Sequence, residues 1–312
     1  MLSRRLLRIK AIKALYAHIQ SDGDNMLASE KSMMTSIERS YDLYLQLLML
    51  PVDIANYIRE RQEIDKKKHL ATAEERNPNT KLIDSAFVKL VQDGDSLNDA
   101  VVARKLGWER SPELIKTLAA QFSETEAFKN YMSNPESSMK EDVALWESFY
   151  VSVIQNCELL DEIIEEQSLM WSGDLSFVLP LVARTLSSVR PTHTDLKLVK
   201  KFKSEEDKEF VRTLFQKSLI NFNRNQAYIE KFTSNWDVER IVFMDNLIMI
   251  IAMSELTSFP EIPTKVTMDE YIEISKYYST PGSSTFINGI LDKLTQSLTE
   301  EGEIIKAGRG LL

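Results

Sequence analysis

Residues 235–256 have the sequence NWDVERIVFMDNLIMIIAMSEL, and this stretch decides the fold class. After Arg240 it is apolar on nearly every side of a helical wheel, with Asp245, Asn246 and Glu255 as its main interruptions. A helix that is apolar all round is normally buried among other helices. The stretch is interrupted too often to be the run of about twenty apolar residues that a membrane span needs. It therefore predicts the central helix of a helical bundle.

Two further helices are predicted directly after this one. IPTKVTMDEYIEISKYYS (262–279) contains Thr267 and Glu270 at the spacing of a capping box, which marks a helix start. STFINGILDKL (284–294) has an apolar helical pattern with Gly289 inside it. A glycine there costs stability unless another backbone approaches closely, so the pattern predicts a crowded helix crossing at Gly289.

The rest of the chain also has the periodicity of helices. Apolar residues recur at three- and four-residue spacing over 29–50, and sustained alternation of period two is absent. Clusters of proline, serine and threonine at 133–138, 190–195 and 258–264 divide the helical regions. The sequence therefore predicts an all-α protein.

Composition argues against most enzyme and membrane classes. The 312 residues carry a formal net charge of −9 and include one cysteine, three histidines and nine glycines. Cys157 cannot form an intrachain disulfide, the histidines lack metal-ligand spacing, and no glycine-rich phosphate loop is present. We therefore expect no metal and no cofactor. The N-terminus lacks the apolar core of a secretory signal, so we expect a cytoplasmic protein without a membrane anchor.

The first twenty residues break a local rule. They form a predicted helix in which Ser3 can cap the start and Ile12, Leu15, Tyr16 and Ile19 form a buried stripe. The same segment carries five cations and no acid, although a helix N-terminus is already electrically positive. These cations are Arg4, Arg5, Arg8, Lys10 and Lys13, of which the two lysines project away from the stripe on a helical wheel. Such a cluster is typical either of an anion site or of a solvated chain terminus.

The C-terminal motifs resemble the NusB family of bacterial transcription antitermination factors. The matching positions are E-R at 239–240, E-L at 255–256, I-P-x-K-V at 262–266, E-x-I-E-x-x-K at 270–276 and F-x-N-G-x-L-D-K at 286–293. The arginine-rich first helix, with Ala11, Ala14, Leu15 and Tyr16, is similar to the opening of that family. The chain departs from the family pattern at Lys13, Asp269, Tyr271 and Ser275, and it is more than twice the family's usual length.

The resemblance implies a NusB-like helical bundle with an additional helical insert. It assigns 1–22 and 204–300 to the NusB-like RNA-binding domain, 23–203 to the insert and 301–312 to a C-terminal tail. Sliding the sequence by 65 residues aligns Glu141–Asp142 with Glu206–Asp207 and Trp171 with Trp236. The insert is therefore either a degenerate companion repeat or an unrelated helical region.

The resemblance also implies a function without a chemical step. NusB-like proteins bind the boxA element of nascent ribosomal RNA together with NusE, a small-subunit ribosomal protein, within an antitermination complex on RNA polymerase. Cations would bind phosphates, and aromatic rings would stack on unpaired bases. The residues expected to contact RNA are Arg4, Arg5, Arg8, Lys13, Tyr16, Lys265 and Phe286, and Glu239 is expected to contact NusE or the RNA-proximal edge. Asn288 and Gly289 are expected to serve helix packing.

Two other functions stay open from the sequence alone. A helical scaffold without RNA binding would use surface aromatic residues as anchors, for which Tyr41, Tyr44, Trp108 and Trp146 are candidates, although core packing also explains them. The RNA-binding part of a ribosomal RNA methyltransferase is the second alternative. The lone Cys157 and the missing glycine-rich cofactor loop argue against it.

Overall fold

The computed structural model describes residues 1–21, 23, 25–233 and 242–311. All regular secondary structure in these ranges is helical, which confirms the all-α prediction. No helix within the same ranges combines the length and the hydropathy that crossing a bilayer requires.

The chain forms two compact units. We call Ser3–Ile37 with Phe202–Leu312 the terminal unit, because it joins the two ends of the sequence. We call Glu38–Lys201, together with Met1–Leu2, the inserted unit. Helix α2 (Met26–Lys66) is 41 residues long and contributes to both units.

The terminal unit is a bundle around one apolar helix. Besides the first part of α2, its helices are α1 (Arg4–Gln20), α11 (Glu205–Ile220), α12 (Phe222–Thr233), α13 (Phe243–Ser258), α14 (Thr264–Tyr278) and α15 (Ser283–Glu300). Every residue of α13 from Leu247 to Leu256 is buried, and α1, α11, α12, α14 and α15 all pack on α13. The predicted central helix is therefore confirmed for the described part of that stretch.

The first helix follows its predicted pattern only in part. The side chain of Ser3 accepts a hydrogen bond from the Leu6 amide and caps α1, as expected. Ile12 and Leu15 are buried, but Tyr16 is 41 % exposed and so lies outside the buried stripe. Lys10 projects away from the stripe on a helical wheel, but its side chain is 1 % exposed.

Two expectations for the C-terminal helices are wrong. Helix α14 begins at Thr264, so Thr267 lies inside the helix and does not cap it. Gly289 is exposed, and nothing would lie within 4 Å of a Cβ atom there. No close helix crossing explains this glycine, because the buried face of α15 runs through Ile287, Ile290 and Leu291.

The C-terminal residues fold back onto the terminal unit. The ammonium of Lys306 donates to the carbonyls of Leu256 and Phe259 at 3.0 and 3.1 Å. These carbonyls lie at the C-terminal end of α13, where a helix provides no further N–H donors. The amide of Ala307 donates to the carbonyl of Pro260 at 2.9 Å. A Cβ atom on Gly310 would lie 1.8 Å from that same carbonyl oxygen, so only glycine fits there.

The inserted unit is organised around the second part of α2. Its other helices are α3 (Ala73–Arg76), α4 (Ala86–Asp93), α5 (Asp95–Arg104), α6 (Pro112–Glu124), α7 (Glu126–Ser133), α8 (Met139–Ser152), α9 (Glu158–Gln167) and α10 (Leu175–Ser188). Phe122, Trp146 and Phe149 form a buried aromatic cluster with ring centroids 4.8–5.4 Å apart. The unit therefore has a core of its own.

Helix α2 continues through Pro51 because a side chain replaces the missing backbone donor. Proline has no N–H, so Pro51 cannot donate to the carbonyl of Leu47 one turn earlier. The buried hydroxyl of Tyr150 donates to that carbonyl at 2.7 Å. The indole N–H of Trp108 donates to the neighbouring carbonyl of Gln46 at 2.9 Å. The helix therefore stays continuous where the sequence alone suggests a break.

Candidate nucleic-acid interface

Arg8 lies in the interior of the terminal unit. Its Nε and Nη2 atoms donate to the two carboxylate oxygens of Glu255 at 2.8 and 2.7 Å. Arg8 is 3 % exposed and Glu255 is fully buried. Thr267 and Tyr271 of α14 donate their hydroxyls to the same carboxylate at 3.0 and 2.8 Å. The four side chains join α1, α13 and α14 through one satisfied polar network, which we call the arginine clamp.

Burial and the charge of Glu255 shift the pKa values of two residues of this clamp. Burial acts to lower the pKa of Arg8, but the hydrogen bonds and negative charge of Glu255 outweigh it, so the pKa of Arg8 is raised. Burial and the Glu255 charge raise the pKa of Tyr271 well above its usual value. Arg8 therefore stays charged and Tyr271 stays a hydrogen-bond donor across the physiological pH range.

Arg4 and Arg5 also pair with acids, but they remain partly exposed. Arg4 Nε donates to Asp207 at 2.9 Å, and its guanidinium lies 4.9 Å from the ring centroid of Phe210. Arg5 makes a two-bonded pair with Glu270, with both distances at 2.9 Å. The Arg4 and Arg5 side chains are 37 % and 39 % exposed. The acids that pair with Arg4 and Arg5 are thus more than 200 residues away in sequence.

A row of aromatic rings and one cation follows α1 towards its C-terminal end. The ammonium of Lys13 lies 5.4 Å from the ring centroid of Tyr278, and the ring of Tyr16 lies 5.7 Å from that of Phe243. Lys13 and Tyr16 are one turn apart on the same side of α1. We call these four residues the aromatic strip. All four are at least partly exposed to solvent.

The positions of the other predicted site residues differ. Lys265 is exposed in the first turn of α14, which separates it from Tyr278 by about 20 Å along the helix. Phe286 is half-buried in the first turn of α15. Glu239 lies outside the described residues. The structure thus brings Lys13 and Tyr16 together, and it places Lys265 at the other end of α14.

Several residues of this candidate site were not predicted from the sequence. Tyr278 and Phe243 complete the aromatic strip, and Tyr277 is 80 % exposed beside it. The adjacent tyrosines after Lys276 were a signal for a surface aromatic site. Glu255 was a second signal, because a carboxylate inside an apolar helix needs a buried cation.

The expected packing role of Asn288 and Gly289 is wrong. Both residues are exposed on α15, two and three positions after Phe286. Their side of the helix is opposite the buried face formed by Ile287 and Ile290. The motif F-x-N-G therefore presents polar backbone and an amide side chain to solvent next to a half-buried ring.

One protein-family model matches much of this region. A model described as NusB family matches residues 181–296. Residues 181–296 are a NusB family domain. The matched range begins within α10 and ends within α15.

Curated relatives match about a third of the chain. Their common name is transcription antitermination protein NusB. The Salinibacter ruber protein is 41 % identical over 105 residues, which are 34 % of this chain and 66 % of that protein. The Chloroherpeton thalassium protein is 36 % identical over 105 residues, which are 34 % of this chain and 50 % of that protein. The Natranaerobius thermophilus protein is 36 % identical over 92 residues, which are 30 % of this chain and 66 % of that protein. This chain thus spans less than two thirds of each relative, and no solved structure matches it.

Most aromatic anchors considered for a scaffold function are core residues. Tyr44 and Trp146 are fully buried, and Trp108 is 2 % exposed. Tyr41 is half-buried and donates its hydroxyl to the carbonyl of Val199 at 2.8 Å. These side chains stabilise the inserted unit, so a partner surface on that unit has to use other residues.

Proposed function

We propose that the NusB domain, together with helix α1, is an RNA-binding adaptor in transcription antitermination. In this proposal it binds boxA-type single-stranded RNA jointly with NusE, as part of an antitermination complex on RNA polymerase. The names of the relatives support the process. The observation that supports RNA contact most directly is the aromatic strip, because it combines partly exposed rings with a lysine.

The strip has the chemistry that single-stranded RNA requires. Unpaired bases stack on aromatic rings, and each stacked base contributes about 1–3 kcal/mol. In our proposal Tyr16 and Tyr278 offer such rings, and Lys13 between them binds a phosphate. Lys265 and Phe286 are proposed as further contacts along the RNA, and Glu239 as a contact to NusE.

The three arginines have two different roles in this proposal. Arg8 is a positioning residue, because its guanidinium already has both oxygens of Glu255 and is 3 % exposed. It holds α1 so that Lys13 and Tyr16 present a fixed surface. Arg4 and Arg5 contact phosphates through their exposed portions and share their charge with Asp207 and Glu270.

The net charge supports a requirement for a partner. RNA approaching a chain with net charge −9 is repelled everywhere except at a local basic face. Affinity for RNA alone is then weak and sensitive to salt. NusE would supply additional contacts and the remaining sequence specificity.

The test is fluorescence anisotropy of a labelled boxA-containing RNA titrated with the full chain, with and without NusE. We expect NusE to tighten binding and a scrambled RNA to respond much less. Tyr16→Leu should weaken binding by about tenfold, equivalent to 1.4 kcal/mol, because a stacked base is lost. Tyr16→Phe should retain it, because the ring remains.

Lys217→Ala is the matched control for Lys13→Ala. Lys217 is another lysine of the terminal unit, and it is exposed near the end of α11. Only Lys13→Ala should weaken binding. Equal effects of the two substitutions, or no loss with Tyr16→Leu, would contradict the proposed site. Absence of RNA binding with and without NusE would favour the scaffold alternative.

A further inference from the structure

The inserted unit has an apolar groove that the proposed RNA contact does not use. The groove has a volume of about 860 Å³ and lies between α8, α9 and α10. Its apolar lining residues are Tyr150, Val151, Leu175, Leu179, Pro180, Ala183 and Leu186. Val151 is 61 % exposed, although a valine on a helix that faces the core would be buried.

The charged side chains that line the groove are both acidic. Glu147 and Asp161 are the charged residues that line it. Helix α9, which carries Asp161, has the sequence ELLDEIIEEQ with five acids and no base. Burial, followed by the charge of Glu165, raises the pKa of Asp161, so a cation placed beside it would be favoured. An apolar floor with an acidic rim is complementary to a basic amphipathic segment.

Pro180 adds a backbone acceptor to this surface. It lies inside α10 and cannot donate to the carbonyl of Ser176, and both residues line the groove. In α2 the corresponding gap at Leu47 is filled by the hydroxyl of Tyr150. Ser176 and Pro180 are both exposed in the lining of the groove. A lysine or arginine entering the groove can supply that donor.

We propose that this groove docks a basic amphipathic helix of a partner protein. Apolar side chains at i, i+3 and i+4 would lie against Leu179 and Val151. Lysine or arginine side chains at the edges would pair with Glu147 and Asp161. The acidic rim repels RNA phosphates and also a second copy of this acidic chain, so a basic protein segment is the occupant that fits.

The test uses a labelled helical peptide of about 18 residues, or five turns, made of leucine and lysine in amphipathic order. A peptide of the same composition in scrambled order is the comparison. The full chain should bind the amphipathic peptide about tenfold more tightly, because only this order presents a continuous apolar face. Hydrogen exchange should show new protection in α8 and α10.

Ala183→Arg and Ser187→Arg are matched variants on α10. Both positions are exposed and one turn apart, but only Ala183 lines the groove. Ala183→Arg should weaken peptide binding about tenfold, and Ser187→Arg should leave it unchanged. Equal loss in both variants, or equal binding of the two peptides, would overturn the proposal and indicate attraction by net charge alone. Self-association abolished only by Ala183→Arg would also overturn it, since the occupant would be a second copy.

Discussion

Arg8 and Glu255 show how two single residues can decide the role of a charged segment. The N-terminal arginine cluster suggests a nucleic-acid site from charge alone. In the folded chain Arg8 faces a carboxylate that is fully buried, and both groups have their hydrogen bonds satisfied. Burying such charges is tolerated only when they are paired, so each one depends on the other.

Removing one partner of the clamp should therefore be costly. We expect Glu255→Gln or Arg8→Met to destabilise the terminal unit by about 3–5 kcal/mol, because the remaining charge loses its counter-ion in the interior. Arg4→Met should cost at most about 1 kcal/mol, since Arg4 is 37 % exposed and water screens its pair with Asp207. Urea denaturation with hydrogen exchange read in α1 and α13 measures both. Similar small losses for Arg8→Met and Arg4→Met would contradict the clamp.

Asp53 makes the inserted unit sensitive to pH. Burial, followed by the charge of Glu109, raises the pKa of Asp53 to about 7 from an ordinary value of 3.8. The folded unit therefore binds this proton more tightly than the unfolded chain does. The protonated Asp53 carboxyl therefore contributes to the free energy of unfolding. This contribution is complete below about pH 4, is lost as the pH rises through about 7, and has an upper limit of about 4 kcal/mol.

The measurement is the free energy of unfolding of the inserted unit at pH 5 and pH 8. Asp53→Asn should remove most of the decline between these pH values, because the amide does not titrate. Asp84→Asn changes an exposed aspartate of the same unit and should leave the decline in place. An unchanged pH profile in Asp53→Asn would show that another group is responsible.

At the level of whole elements, α2 shows how a helix of 41 residues can contain a proline. The cost of Pro51 is the lost backbone donor to Leu47, and Tyr150 supplies the replacement. We expect Tyr150→Phe to destabilise the inserted unit by about 1–3 kcal/mol, because a buried carbonyl loses its partner. In a Pro51→Ala background the same substitution should cost much less, since the alanine N–H reaches that carbonyl.

A double-mutant cycle of these two changes measures their coupling. Tyr131→Phe is a useful comparison, because it also removes a hydroxyl within the inserted unit but one that donates to Asp142. Its cost should be the same with Pro51 and with alanine at position 51. If Tyr150→Phe is equally costly in both backgrounds, the hydroxyl does not compensate for the proline.

The C-terminal helices show what periodicity can and cannot predict. The burial of α13 follows directly from its composition, because an apolar helix has no side to expose. The spacing of Ile287, Ile290 and Leu291 also places Gly289 on the outer side of α15, so helical phase accounts for its exposure and the general rule about glycine in helices does not. Thr267 has the spacing of a cap, yet its hydroxyl donates to Glu255, a contact between two helices that no local pattern contains.

On the scale of the whole molecule, the excess of acid would confine the proposed RNA contact to a small basic face. The cations that we propose as phosphate contacts are Arg4, Arg5, Lys13 and Lys265, and all four are at least partly exposed. We expect the logarithm of the RNA affinity to fall with the logarithm of salt concentration with a slope near −3, given about −0.7 for each of the four proposed phosphate contacts. Anisotropy titrations at several salt concentrations measure it. A slope steeper than about −4 would mean that a larger basic surface takes part.

Contacts between helices that are distant in sequence are harder to predict than the fold class. Nothing in the first twenty residues identifies Asp207 or Glu270 as their partners, because the pairs are separated by 203 and 265 residues. Local patterns do not predict the aromatic strip for the same reason, because Phe243 and Tyr278 are distant from Tyr16 in sequence. Local patterns predict helices, whereas the site depends on which helices meet.

The repeat at an offset of 65 residues stays a prediction. The offset aligns α8 with α11 and α9 with α12 in the same order along the chain. Asp142 and Asp207, which it pairs, are both buried near the start of their helices. Trp236, the partner of Trp171, lies outside the described residues. Similar helix order and one shared buried acid support a duplication, but amphipathic helices of equal length share apolar phase without common origin.

The arginine clamp has a consequence for how the protein is made. Arg8 and Glu255 are 247 residues apart, so a ribosome adding about 5–20 residues per second needs on the order of ten to fifty seconds to supply the second after the first. During that interval α1 has emerged with its apolar side and a cation that has no counter-ion yet. The inserted unit, whose core lies within 38–201, can fold in the meantime. The nascent chain is therefore expected to fold from its middle outwards, with the first helix among the last elements to find its place.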